Sequence, residues 1–374
     1  MGTVTLIYGN EVEGMVRSLL ASTDALDSLR SDDTVVIKPN LVASKREWTG
    51  VNTDPRVVEA LVKVLKDRGL TRITVGDGSG MGYSATKALQ ICGYVELAKR
   101  YGLRLVDLER DRFVRKEASL DGPFDSLEIA QTVLECDFLI NVPLTKAHFE
   151  TLITCSLKNL KGVMSRQIKT AFHREGLHRS IAQLASVLSP DLILVDGLWG
   201  NVSSETGRDP VPLETMLLGT NPVEVDSVVA DILGYAPRAI GHIAHTADAG
   251  LGVCDLGEIT IRRLNHPSRD THLRQALPYT KRFPCAIDAE GACCTCLGNL
   301  VFALERLHEK GLLSKGQRFF VGQKAGALSE KEEMKFAIGQ CAANRGNADV
   351  SVDECPPTAN TIYRRVASAV RGEG

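Results

Sequence analysis

Along residues 1–265, short aliphatic and β-branched runs alternate with amphipathic stretches. TLIYG, TVVIKPNLV, RITVGDGSG, LRLVDLE, DFLINVP, DLILVDG and ETMLLGT predict strands, while Asp54–Arg68 and Val223–Gly234 predict helices. That alternation implies an α/β fold with a mostly parallel sheet flanked by helices. In Asp54-Pro55 the carboxylate can cap a helix whose first turn holds the proline. Ligands in such sheets bind beyond the carboxyl ends of the strands. The polar tails there are Lys38-Pro39-Asn40, Asp77-Gly78-Ser79-Gly80, Asn141 through His148, and Asp196-Gly197.

The periodicity lapses between Asn265 and Pro284, so a linker or crossing is expected over 266–284. Beyond it, over 285–374, Cys296 leads into an amphipathic helix closed by Gly311, and RFFVGQ and KFAIGQ predict two strands. A small C-terminal α/β domain therefore follows a larger unit over 1–265 that is expected to bind substrate.

Composition narrows the partners. A chain of 374 residues exceeds one ordinary core, and 44% hydrophobic with 24% charged residues fits a globular protein. A net charge of -2 offers no general attraction to nucleic acid or to an anionic membrane. The N-terminus lacks a secretory pattern and no apolar run is long enough to span a bilayer, so the expected location is cytoplasmic.

Ten cysteines in a chain kept reduced read as ligands or core residues rather than disulfides. Cys92, Cys136, Cys155 and Cys254 are scattered, whereas Cys285, Cys293, Cys294, Cys296, Cys341 and Cys355 crowd the C-terminal part. Cys293 and Cys296 form a C-x-x-C pair, Cys341 follows the second predicted strand, and two prolines follow Cys355. Four thiolates from three loops suit a 4Fe-4S cubane, which takes soft sulfur ligands spread around a compact body. A zinc ribbon, which usually shows two tight C-x-x-C pairs, and inert buried thiols are the alternatives.

The segments ACCTCLGN, GQCAANRG and DECPPTANTI resemble the proximal-cluster site of the nickel–iron hydrogenase small subunit and of its relative in respiratory complex I. The resemblance implies Cys293, Cys296, Cys341 and Cys355 as ligands. Two departures stand out: Glu354 replaces a glycine, and Cys294 offers a rival ligand because the complex I relative uses adjacent cysteines. The first pair is open at this point.

Within the larger unit, residues from about Val35 to Ile261 resemble the family called domain of unknown function 362, through VVIKPNLV, NTDPRVVEALVKVL, VGDGSG, FLINVPLTKAH, SLKNLKGVM, GLHRSIAQLASVL, DLILVDG and GTNPVEVDSVVADILGY. Members often carry a cluster-binding segment at the C-terminus. From the residues themselves, Lys38, Asn40, Lys158 and Lys161 are candidates to bind a small anionic substrate, and Lys146, His148, His173 and His178 to act in catalysis. Lysines hold carboxylates or phosphates, and histidines move protons near neutrality. Solvated loop charges are the bland alternative for any one of them. Asp77 reads as a loop cap, Asp196 and Asp226 as candidate cation ligands, with a structural cap or ion-pair partner the alternative for Asp226, and no metal beyond the cluster is expected.

The sequence lacks the G-x-G-x-x-G fingerprint at GDGSG, a G-x-S-x-G elbow and a P-loop, and His173 and His178 do not have zinc-protease spacing. The leading expectation is an iron–sulfur oxidoreductase acting on a small anion, with a ferredoxin-type redox partner as one candidate. An electron carrier or assembly partner without substrate chemistry is the first alternative. A non-redox enzyme using the cluster as a Lewis acid is the second.

Overall fold

The computed structural model describes residues 2–43, 50–80, 83–148, 150–201, 210–267, 282–292, 294–323, 325, 334–346 and 348–373, with backbone alone at 294 and 295. The chain divides into two compact units: Met1–Phe172 with Leu177–Gln275, and His173–Gly176 with Ala276–Gly374. Most of the expected linker, residues 268–281, lies outside the described residues.

The first unit is an α/β layered structure. Its elements in chain order are β1 (Thr3–Tyr8), α1 (Val12–Ala21), β2 (Thr34–Pro39), α2 (Pro55–Asp67), β3 (Arg72–Asp77), α3 (Ala85–Ile91), α4 (Tyr94–Tyr101) and β4 (Arg104–Asp107). There follow β5 (Phe113–Glu117), β6 (Ser126–Ala130), α5 (Gln131–Leu134), β7 (Phe138–Val142), β8 (Leu144–His148), β9 (Leu152–Thr154) and α6 (Ser156–Asn159). The rest are α7 (Arg166–Glu175), α8 (Leu177–Val187), β10 (Leu192–Asn201), β11 (Pro210–Gly219), α9 (Pro222–Ile232), α10 (Gly241–Asp248) and β12 (Thr260–Arg263).

The main sheet runs β12-β1-β11-β10-β7-β2-β3-β4, with β8 added beside β10 and β9 beside β8. Strands β10, β7, β2, β3 and β4 are mutually parallel, and β11 enters antiparallel between β10 and β1. All five parallel strands therefore end at one edge, which collects their polar tails. Burial explains the run-like sequences: β7 and β8 are buried at every position. The core unites Val35 and Ile37 of β2, Val75 of β3, Ile140 of β7 and Leu194 of β10 with Val16 and Leu19 of α1 and Val58, Leu61 and Leu65 of α2. Helix α2 starts as expected, with the Asp54 side chain accepting from Arg56 N and Pro55 at the first helical position. Among the described residues, no helix is long and apolar enough to cross a membrane.

The second unit holds a parallel sheet, β13 (Ala286–Asp288), β14 (Gln317–Val321), β15 (Met334–Ile338) and β16 (Val350–Val352), in that order. Helix α11 (Cys294–Glu309) joins β13 to β14, the short α12 (Gln340–Ala343) follows β15, and α13 (Ala359–Arg371) ends the chain beside α11. Phe319 and Phe336 stack at 4.7 Å between ring centres, coupling β14 to β15.

Candidate functional sites

The strand ends of the first unit carry a buried polar network. Lys38, at the end of β2, is wholly buried, and its ammonium lies 2.7 Å from Asp77 Oδ1 at the end of β3. The contact is ionic rather than a well-directed hydrogen bond, since Asp77 Oδ1 has no partner of hydrogen-bond geometry. Asp77 Oδ2 accepts from Leu41 N at 2.7 Å, so this aspartate ties two loops together rather than capping its own. Burial pulls the Lys38 amine below its usual range, and Asp77 opposes that pull.

Two glycines permit the packing. A methyl on Gly162 would sit 2.8 Å from Lys38 Nζ and closer still to Asp77 Oδ1; one on Gly78 would lie 2.5 Å from Gly162 O. The glycines of GDGSG thus serve close approach of two backbones. Beside them Lys169 pairs with Glu109 and donates to Ser79 O at 3.0 Å.

Lys146 and Asn40 belong to the same edge. Lys146 Nζ donates to Asn40 Oδ1 at 2.8 Å and to Val51 O at 2.7 Å. Asn40 Nδ2 donates to Asn159 Oδ1, and Asn159 Nδ2 to Asn141 Oδ1, each at 2.7 Å. Thr53 joins the loops by donating to Val142 O at 2.9 Å while accepting from Asn40 N at 2.8 Å. Asp196 accepts from Asp54 N at 2.8 Å and Leu198 N at 3.0 Å, and burial, reinforced by the nearby Asp54 charge, pushes its carboxyl up to about 7. Asp226 accepts from Ser156 N at 2.6 Å and Leu157 N at 3.1 Å, and burial pushes it up to about 7 as well. Both aspartates accept from neighbouring backbone, which for Asp226 is the structural-cap alternative.

The remaining sequence candidates have other partners. His148, at the end of β8, accepts from Glu150 N and Thr151 N through Nδ1 at 3.1 and 3.2 Å, which assigns its ring proton to Nε2 when neutral. Lys158 donates to Thr154 Oγ1 at 3.2 Å, and Lys161 is buried in the turn after α6. His178 accepts from His242 N at 2.9 Å, its ring stacked on that of His242, and burial pushes it down to about 4. Burial thus favours the neutral ring of His178, with Nδ1 as the acceptor. His173 lies near the end of α7, in the stretch that groups with the second unit. Asn141 was named only as the start of a strand-end polar tail, and Asn159 and Lys169, which complete the network, were not singled out by sequence reasoning. Asn159 stood inside the quoted SLKNLKG, but nothing local marks it as a hub.

The thiols lie at one edge of the second unit. Because its sheet is parallel, the start of α11, the Gly339-Gln340-Cys341 turn after β15 and the Glu354-Cys355 turn after β16 share the carboxyl edge. Cys296 is buried with its sulfur against Gly339: a Cβ there would meet Cys296 Sγ at 3.2 Å and Pro357 Cδ at 3.9 Å. Gly339, with φ +86°, donates to Val352 O at 2.7 Å, and Gln340 N donates to Glu354 O at 3.2 Å. Asn299 Nδ2, one turn along α11, donates to Pro357 O at 2.8 Å. The segments carrying Cys296, Cys341 and Cys355 are thus bonded to one another; Cys341 and Cys355 are exposed.

Cys293 and the side chain of Cys294 lie outside the described residues. Among the described residues no three His, Cys, Asp or Glu side chains gather as a metal site. The donor set nonetheless suits an iron–sulfur cluster in kind, since the segments that carry the soft sulfurs of Cys296, Cys341 and Cys355 are hydrogen-bonded to one another beside Gly339. Cys285, just before β13, is buried, and burial pushes its thiol up to about 11.

The sequence profile of the family described as Domain of unknown function (DUF362) matches residues 35–231, which include every member of the strand-end network from Lys38 to Asp226. A thylakoid-associated protein of Synechocystis sp. is 27% identical over 264 residues, 67% of this chain and 78% of its own length. Among solved structures, the lactate racemase apoprotein of Thermoanaerobacterium thermosaccharolyticum is similar with a TM-score of 0.39 and 16% identity over 61% of this chain; the match spans 56% of the racemase chain. A structural-genomics protein of Thermotoga maritima is similar with a TM-score of 0.41 and 13% identity, over 82% of this chain and 70% of its own.

Proposed function

Because the chain belongs to the DUF362 family, whose description names no activity, its chemistry has to be read from its own residues, and we propose that it is a 4Fe-4S protein acting as a redox enzyme on a small anionic substrate. The observation that carries the reading is the meeting of the Cys296, Cys341 and Cys355 segments around Gly339. Cys293, Cys296, Cys341 and Cys355 would hold the cluster, with Cys294 the rival for a place in the first pair. The cluster would supply single-electron transfer. Gly339 keeps the space beside Cys296 open, and Asn299 fixes the loop after Cys355 to α11.

The substrate reading rests on the strand-end cations. Lys38 and Lys146, with Asn40, form a fixed polar edge, and Lys158 and Lys161 on and after α6 add charge to the same family segment. His148, whose Nδ1 accepts two backbone N–H groups, would offer its Nε2–H as a hydrogen-bond donor to the anion; His178, paired with His242, serves structure. Electrons would come from a small carrier such as a ferredoxin. A second reading, an electron carrier without substrate chemistry, draws on the exposure of Cys341 and Cys355, which would leave one side of a cluster near solvent.

Anaerobic purification tests the cluster. About four irons and four acid-labile sulfides per chain are expected, with a paramagnetic signal on reduction. Stoichiometric zinc without sulfide would overturn the reading. Ligand-dependent turnover of a reduced donor, lost in Lys146→Met with iron content intact, separates the enzyme from the carrier.

A further inference from the structure

Lys146 sits at one end of a directed chain of side-chain amides. A lysine ammonium can only donate, so the Asn40 carboxamide it touches must present its oxygen. That leaves the Asn40 nitrogen to donate to Asn159 Oδ1 at 2.7 Å, the Asn159 nitrogen to Asn141 Oδ1 at 2.7 Å, and the Asn141 nitrogen to Ser156 Oγ at 2.9 Å. Each amide orientation is dictated by the one before it. Ser156 N then donates to Asp226 Oδ1 at 2.6 Å. All six residues are at least nine-tenths buried.

The three carboxamide dipoles therefore align, oxygen ends toward the ammonium and N–H ends toward the carboxyl of Asp226. Inside a protein, successive hydrogen bonds polarise one another and are stronger than the same bonds in water. An arrangement of this kind favours a cation at one end and an anion at the other. It also fixes the ammonium rigidly, because each amide has its own bond on the far side.

We propose that Asn40, Asn159 and Asn141 are positioning residues that hold the Lys146 ammonium at the strand ends and couple its charge to that of Asp226. The use of this ammonium, as the fixed cation that meets a carboxylate-bearing or phosphate-bearing substrate, rests on the function proposed above. The relay itself depends only on these side chains. A core that merely satisfies its polar groups would be indifferent to the direction of the amides; a relay is not.

Nitrogen-15 labelling of the lysine side chains of the full chain reads the ammonium directly, with the Lys146 signal assigned by its absence in Lys146→Met. Lys169, buried on Glu109, is the control within the same molecule; Lys38 is not, because Asn159 Nδ2 also lies 3.4 Å from Pro39 O, which accepts from Lys38 Nζ. Asn159→Leu removes both the acceptor for Asn40 and the donor to Asn141. It should speed proton exchange at Lys146 about tenfold, the worth of one net hydrogen bond, with Lys169 unchanged. Asn159→Asp keeps the acceptor and adds negative charge, so exchange at Lys146 should slow.

Unchanged exchange at Lys146 in both variants, or equal acceleration of Lys146 and Lys169 in both, overturns the relay. Titration with malonate and with inorganic phosphate tests the use of the ammonium separately. If the variants behave as expected but neither anion shifts the Lys146 signal, the substrate reading fails and the relay stands.

Discussion

Single residues at the strand ends are constrained by space and by charge. Gly162→Ala would drive a methyl into the Lys38–Asp77 pair, with Lys38 Nζ 2.8 Å away. Overpacking next to a buried ion pair should cost on the order of 3 kcal/mol, read as a lower denaturation midpoint. Gly316→Ala, where a methyl meets nothing nearer than Ser314 Oγ at 4.0 Å, should stay within about 0.5 kcal/mol. Asp196 makes a pH prediction. Its carboxyl titrates at about 7 folded against 3.8 for the ordinary group, so its contribution is fully present below pH 3.8 and is lost as pH rises through about 7. That loss is on the order of 4 kcal/mol. His178 acts with the opposite sign, because its folded pKa of about 4 lies below the usual 6.5 and stability falls as pH drops between them. Asp196→Asn should therefore flatten the fall in stability above pH 4, measured by urea denaturation at a series of pH values; an unaltered slope would refute the assignment. Lys38, Asn40 and Lys146 were legible because they stand at the ends of hydrophobic runs. Asn159 was not, and the backbone that Asp226 holds was not, since what defines them is a distant partner: Asn40 lies 119 positions from Asn159, and Ser156 lies 70 from Asp226.

At the scale of elements, local signals worked where one residue closes an orphan backbone group. Asp54-Pro55 and Asn221-Pro222 start α2 and α9, with Asn221 accepting from Val223 N and Glu224 N. Gly311, at φ +67°, ends the turn after α11. The β5–β6 hairpin was not foreseen: β5 is polar and half-exposed, and although Asp121-Gly122 lies in the connection, residues 118–125 separate the strands, far more than the two-residue loop that makes such a dipeptide a hairpin signal. Strands β8 and β9 are short and add at the rim of the sheet through tertiary pairing. Helix α6 has only four residues, too few to persist by propensity, and its first two amides are held by Asp226 from α9. Asp226→Ala should cost about 2 kcal/mol and raise amide exchange at Ser156 and Leu157 ahead of β2 and β7, because two buried N–H groups lose their acceptor. Exchange there no faster than in the parent would show that α6 is held by packing alone.

For the molecule as a whole, the α/β class and the parallel sheet followed from the alternation of runs, whereas the antiparallel insertion of β11 depends on long-range pairing that no local pattern encodes. The C-terminal thiols were legible for another reason: cysteines are scarce enough that six within a short stretch demand a chemical cause, even though the meeting of their loops exists only in the fold. The cluster proposal therefore yields a sharp prediction about which sulfurs matter. Cys296, Cys341 and Cys355 sit on segments joined through Gly339, Glu354 and Asn299. Serine at any one of these positions should lose or convert the cluster, since a hydroxyl is a hard and poor ligand where a thiolate is soft. Cys285→Ser should leave iron content unchanged, because Cys285 precedes β13 and so lies at the opposite end of that strand from the carboxyl edge where the other thiol segments meet. Cys293→Ser and Cys294→Ser decide the first pair. Loss of iron in Cys293→Ser alone fixes the C-x-x-C arrangement, whereas loss in Cys294→Ser with retention in Cys296→Ser installs adjacent cysteines and rejects the ligand set proposed here. Iron and sulfide counts on the anaerobically purified variants read every case, and the urea midpoint of each shows whether a loss is chemical or merely follows unfolding.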